Sequence, residues 1–188
     1  MLVYTGVAAI ILGTIGCEWY HAWQTKTRLA ESDRYDNATI MIVQGQTNEA
    51  ISALEQLSKD GKTGYRYLAQ MQLAGLLLKE DNTEKGLSYL KSLSEDSAAP
   101  QPLQKAALLS YVGHQIDTGN ATQLQAVLEP ILSQPENAFY GPAVELSALL
   151  HIKSNQVDKA KSLLDTAIES LSEEDPAKER LTMLKDNI

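Results

Sequence analysis

Asn-Gln-Val-Asp-Lys-Ala-Lys-Ser-Leu-Leu (155–164) and Asn-Thr-Glu-Lys-Gly-Leu-Ser-Tyr-Leu (82–90) decide how this chain folds. Each begins at a turn and runs into a segment whose small residue, Ala160 or Gly86, stands four before a leucine, Leu164 or Leu90. The same marks recur outward from these two stretches. With Ala38, Ala74, Val112 and Ala148 as the origins of successive units, the spacings are 36, 38 and 36 residues. Four residues on stand the aliphatic Ile42, Leu78, Ile116 and Ile152, and seven on stand the turn-compatible Gly45, Asp81, Gly119 and Asn155. Twelve on stand Ala50, Gly86, Leu124 and Ala160. Sixteen on stand Leu54, Leu90, Leu128 and Leu164, and nineteen on stand Leu57, Leu93, Ile131 and Ala167.

This periodicity has a direct physical reading. A first helix ends at the turn residue, where Gly, Asn or Asp tolerates the left-handed cap conformation. A second helix follows, with its positions at twelve, sixteen and nineteen on one face. A small residue at twelve in three of four units lets the two helices approach closely. One such hairpin cannot bury its own apolar stripe, so several must stack. No window of strict alternation suggests a strand. The expectation is an all-α chain, an α-α hairpin solenoid of about four hairpins over residues 25–188, closed by a C-terminal helix. The pattern resembles the tetratricopeptide repeat. It departs from it in exceeding the usual period of about 34, in carrying Leu124 where a small residue is expected, and in replacing most aromatic positions by Leu.

Punctuation refines the reading. Pro130 falls inside the third second-helix and should kink or shorten it. Pro142 fits the first turn of the fourth first-helix. Ser172-Glu173-Glu174-Asp175-Pro176 reads as a break and an acidic helix start, after which Leu181, Leu184 and Ile188 can cover the open end of the stack. The chain has 188 residues, with 16 Lys+Arg against 24 Asp+Glu and a formal net charge of −8. That balance disfavours binding to phosphate backbones. Apolar residues make up 44% of the chain, enough for a core. Cys17 is the single cysteine, so neither an internal disulfide nor a multi-cysteine zinc site can form.

Residues 1–24 read as an anchor. Leu2 to Cys17 carries no charge, and Trp19, Tyr20 and Trp23 follow as residues suited to a membrane interface. Sixteen residues span roughly 24 Å as a helix, against a hydrocarbon core of about 30 Å. No Gly or Pro interrupts residues 18–37, so this helix is expected to run on into the first repeat. A cleaved signal peptide, a lipoprotein bearing its lipid on Cys17, and a buried soluble helix are the competing readings. A retained single-pass transmembrane helix is the one adopted. By charge alone, Lys26 and Arg28 after the run would place the following domain in the cytoplasm.

The order of parts extends the comparison. An apolar helix ends in Glu18-Trp19-Tyr20-His21-Ala22-Trp23, a polar helix follows with Ala30-Glu31-Ser32-Asp33-Arg34-Tyr35, and degenerate tetratricopeptide-like units come after. This organisation looks like the YfgM-like family of ancillary SecYEG translocon subunits. The resemblance implies a single-pass inner-membrane protein with its repeat domain in the periplasm. It also implies association with SecYEG and hand-over of exported proteins to periplasmic chaperones. The family's basic stretch before the membrane helix is missing here. A lipoprotein or envelope-assembly adaptor with the same repeats is the alternative function.

Catalytic signatures are lacking. His21, His114 and His151 are far apart and form no close ligand pair. Gly61-Lys62-Thr63 is read as a helix C-cap and turn, since Gln56 stands where a phosphate-binding loop needs its first glycine. Glu80-Asp81 and Glu173-Glu174-Asp175 are read as helix ends. No enzyme activity, cofactor, metal, nucleic acid or small-molecule substrate is expected. What remains is surface for a polypeptide. If the first helix of each hairpin lines the concave face, Tyr35, Ile42, Met71, Leu78, Leu109, Ile116, Leu149 and Ile152 form an apolar groove, with Lys79 and Lys153 as the basic residues nearby. The competing reading packs these eight against neighbouring helices or beneath the C-terminal one.

Overall fold

The computed structural model describes the backbone of residues 2–188 and the side chains of residues 23–188. These residues form nine helices and no strand. In chain order they are α1 (Leu2–Val43), α2 (Thr47–Asp60), α3 (Tyr65–Lys79), α4 (Thr83–Glu95), α5 (Gln101–Gln115), α6 (Ala121–Leu132), α7 (Tyr140–Lys153), α8 (Val157–Ser170) and α9 (Pro176–Asp186). α1 is continuous through residues 18–37 into the first repeat unit, as expected.

The repeat register is a burial register. All sixteen positions at the origin and at twelve, sixteen and nineteen are buried. Three of the four turns share one hydrogen-bond pattern. Gly45, Asp81 and Asn155 have φ of 75°, 57° and 56°. The next residue in each case donates its backbone N–H five residues back, Gln46 to Met41, Asn82 to Leu77 and Gln156 to His151, each at 2.9 Å. This satisfies a helix-end carbonyl that would otherwise lack a partner.

The third turn departs from the expected left-handed cap. Gly119 does not have a positive φ, and its N–H donates to the Gln115 carbonyl at 2.7 Å. Its glycine serves space rather than conformation. A Cβ there would lie 2.8 Å from the Gln115 carbonyl oxygen and 2.9 Å from Leu124 Cδ1. Leu124 is the residue that breaks the small-residue rule, and the bare Cα of Gly119 makes room for it.

The chain divides into two compact units, residues 1–82 and 83–188. In the first, α1 packs on α2, α2 on α3, and α1 touches α3. Ala38, Ala50, Leu54 and Leu57 are fully buried. In the second, α4 packs on α5, and α5 to α8 follow as neighbours, with α5 also against α7. Val112, Leu124, Leu128, Ile131, Ala143 and Leu150 form one cluster there. A polar pair ties α6 to α7, with Ser147 buried and Gln125 half-buried: the Ser147 hydroxyl donates to Gln125 Oε1 at 2.7 Å, and Gln125 Nε2 donates to the Ser147 carbonyl at 2.9 Å.

Helix boundaries follow local chemistry. Asn120 caps α6 by accepting from the Gln123 N–H at 3.1 Å, and Asp175 caps α9 by accepting from Ala177 at 2.8 Å. Pro130 lies near the end of α6, which at 12 residues is shorter than α2, α4 and α8 at 14, 13 and 14. Pro142 sits in the first turn of α7, where its missing N–H costs no intrahelical bond. α9 packs on both α7 and α8. Its Leu181 is fully buried, and Leu184 and Ile188 pack on the cluster of Val144, Ala148, Leu164 and Ala167. The approach is close: a Cβ on Gly141 of α7 would lie 2.2 Å from Ala177 Cβ.

Candidate functional site

All eight groove residues are half-buried. They fall into two sets of four, one in each compact unit. In the first, Tyr35 and Ile42 share a face of α1, seven residues apart, and Met71 and Leu78 repeat that spacing on α3. Tyr35 meets Tyr65 at the start of α3, with ring centroids 5.9 Å apart and planes tilted by 46°. Burial raises the Tyr35 phenol above its ordinary pKa, and the neighbouring Asp36 carboxylate adds to this.

In the second unit, Leu109 and Ile116 pack against the Val112–Leu128–Leu150 cluster. Ile152 packs against the cluster that α9 covers. Part of each of these side chains is therefore committed to the core. Leu149, also on α7, is half-buried. Of the two basic residues nearby, Lys153 is engaged: its ammonium lies 2.9 Å from Asp117, in the turn after α5. The two histidines whose side chains are described make local contacts, His114 Nδ1 with the Ser110 carbonyl at 2.9 Å and His151 Nδ1 with Gln156 Oε1 at 3.0 Å, while the side chain of His21 lies outside the described residues.

A polar construction among the described residues lies outside the groove set. It joins the segment of α1 after Trp23 to the loop between α2 and α3. Glu31 is only 5% exposed, inside a helix, and its carboxylate receives three bonds from residues more than thirty positions away. The Lys62 N–H donates at 2.6 Å, the Thr63 N–H at 3.1 Å and the Thr63 hydroxyl at 2.5 Å. Burial on its own raises the Glu31 pKa, but these bonds and the Arg34 charge outweigh it and hold the carboxyl below its ordinary value of 4.5. Around it, Arg34 pairs with Asp60 at 3.0 Å, and the Lys62 ammonium lies 5.8 Å from the centre of the Trp23 ring.

Gly61-Lys62-Thr63 does cap α2, with the Gly61 N–H donating to the Leu57 carbonyl at 3.0 Å. Gly61 is needed for proximity, since a Cβ would lie 2.5 Å from that carbonyl oxygen. The exposed N–H groups after it hold a carboxylate of the chain itself. One signal was available: Glu31 precedes Ala38 by seven residues and so lies on the stripe that packs inward. A carboxylate on that stripe requires donors.

Two open clefts flank the junction, of about 550 and about 580 Å³. Trp23, the last of the three interface residues named from the sequence, borders both and is 46% exposed. Trp19, Tyr20 and the side chains of the apolar run 2–17 lie outside the described residues. Among the described residues, no helix is long and apolar enough to cross a membrane. Nor do the described residues contain a group of three His, Cys, Asp or Glu side chains able to hold a metal ion. No family model, curated protein or solved structure matches the chain.

Proposed function

We propose that this chain is a membrane-tethered, protein-binding scaffold of the inner membrane. In this reading residues 1–24 form a single-pass anchor, and the helical repeats stand in the periplasm. The scaffold is ancillary to the SecYEG translocon and assists the hand-over of exported proteins to periplasmic chaperones. It performs no catalysis. The observation that carries the reading is the pair of half-buried apolar sets on neighbouring first-helices: Tyr35, Ile42, Met71 and Leu78 on α1 and α3, Leu109, Ile116, Leu149 and Ile152 on or at the ends of α5 and α7. Half-buried aliphatic and aromatic side chains at helical spacing suit an amphipathic or extended apolar segment. A tether raises the effective concentration of such a weak site beside its membrane partner.

The test is photo-crosslinking in intact cells from Met71 and Leu149, with a solvent-facing position such as Lys91 as control. The reading expects translocon subunits, chaperones or exported chains to be captured from the two groove positions and not from the control. Deleting residues 1–24 should abolish co-purification with SecYEG. Full retention of co-purification, or capture restricted to cytoplasmic proteins, would reject the assignment. A diacylated Cys17 in the mature protein would favour the lipoprotein adaptor instead.

A further inference from the structure

We infer that the cleft between α1 and the 61–64 loop binds the headgroup phosphate of an anionic phospholipid. The inference rests on the membrane-tethered reading above and adds a lipid ligand to it. Trp23, Thr27, Arg28, Lys62, Thr63 and Gly64 border the first cleft. The adjoining one shares Trp23, Thr27 and Lys62 and adds Lys26 and Arg34. Four cations thus face these openings in a chain of net charge −8. Glu31 and Asp60 are the carboxylates that border them, and both are engaged, Glu31 by the loop donors and Asp60 by Arg34.

Arg28, Lys26 and Lys62 have no carboxylate partner among the described residues, and all three are exposed. Gly64 leaves the loop side open, since even a Cβ there would meet nothing within 4 Å. The site therefore offers a guanidinium and ammonium groups around an accessible hollow, beside the Trp23 indole. A phosphate diester answers to that chemistry.

Position selects the lipid over free phosphate. α1 is one helix from Leu2 to Val43, so Trp23 lies six residues beyond Cys17, about 9 Å along the axis. The headgroup layer extends roughly 5–8 Å beyond the hydrocarbon on each side. Centred in a hydrocarbon core of about 30 Å, the roughly 24 Å run of residues 2–17 ends about 3 Å inside its edge, so Trp23, and Lys62 beside it, would stand about 6 Å outside, within that layer. Indole rings favour that level, and Lys or Arg near an anionic surface strengthens binding about fivefold per residue.

The experiment uses the full chain in non-ionic detergent micelles. Native mass spectrometry follows titration with phosphatidylglycerol and, separately, with phosphatidylcholine. Phosphatidylglycerol should bind more tightly. Arg28→Gln and Lys62→Gln should each weaken it about fivefold, with Lys105→Gln on α5 unchanged and circular dichroism reporting intact helices throughout. Inorganic phosphate should not compete. Equal binding of the two lipids, unchanged affinity in both variants, or competition by inorganic phosphate at equal concentration would overturn the site. Flotation with phosphatidylcholine vesicles reads the anchor separately. A chain that floats but shows no preference keeps its tether and loses the lipid site, whereas one that fails to float loses both.

Discussion

Glu31 shows how one side chain can fix the angle of a long helix against its neighbours. Its carboxylate holds the two N–H groups and the hydroxyl that the Lys62–Thr63 turn would otherwise present to solvent. Bonds to a charged acceptor contribute more than neutral ones. The carboxylate also borders an open cleft, so solvent reduces the figure to about 1–2 kcal/mol. Glu31→Gln keeps the shape but replaces one acceptor oxygen by a donor facing other donors. It should lower stability by that amount at neutral pH. The sign of the pH effect follows from the lowered folded-state pKa. The contribution is present above the unfolded value of 4.5 and is lost as pH falls through the folded value. Urea midpoints taken from pH 7 down to about pH 3 should therefore converge for wild type and variant. Parallel curves with a constant gap would show that the carboxylate's charge is not what holds the loop.

At the scale of the helix and its turn, position seven of each unit holds glycine twice, for two different reasons. Gly45 has a φ of 75° and open space around it. Asp81 and Asn155 take nearly the same φ at the equivalent turns. Gly45→Asn should change stability by no more than about 0.5 kcal/mol, whereas Gly45→Val should cost about 1–2 kcal/mol for its left-handed backbone. Gly119→Asn should cost about 1–3 kcal/mol by crowding the Gln115 carbonyl and Leu124. Thermal unfolding of the three variants checks this, and an ordering with Gly119→Asn as the mildest would contradict it. The register of the helices was legible because burial and turns repeat together. The distinction between the two glycines was not, because spacing specifies that a turn exists and leaves its hydrogen bonds open. Only Leu124, five residues downstream and out of pattern, hinted that the third turn is packed differently.

For the molecule as a whole, periodicity conveyed what repeats and missed what occurs once. The sixteen buried register positions and the packing of Leu181, Leu184 and Ile188 at the C-terminal end could be read from spacing. The junction of α1 with the 61–64 loop could not, since Glu31 and Thr63 meet across thirty-two residues and have no counterpart in the later units. Where the folded domain begins follows from that junction. Trp23 contributes a ring near the Lys62 ammonium, a contact of about 0.5–1 kcal/mol at an exposed site. Glu31, Arg34, Tyr35 and Ala38 supply the hydrogen bonds, ion pair, ring contact and buried surface that seat α1 on α2 and α3. A fragment of residues 25–188 should therefore keep α1 docked, and one of residues 37–188 should not. Hydrogen exchange supplies the reading. Amides of α2 and α3 should exchange about tenfold faster in the shorter fragment, equivalent to about 1.4 kcal/mol, while those of α7 and α8, in the other compact unit, should keep their protection. Equal protection of α2 and α3 in both fragments would mean that these two helices hold each other without the α1 junction.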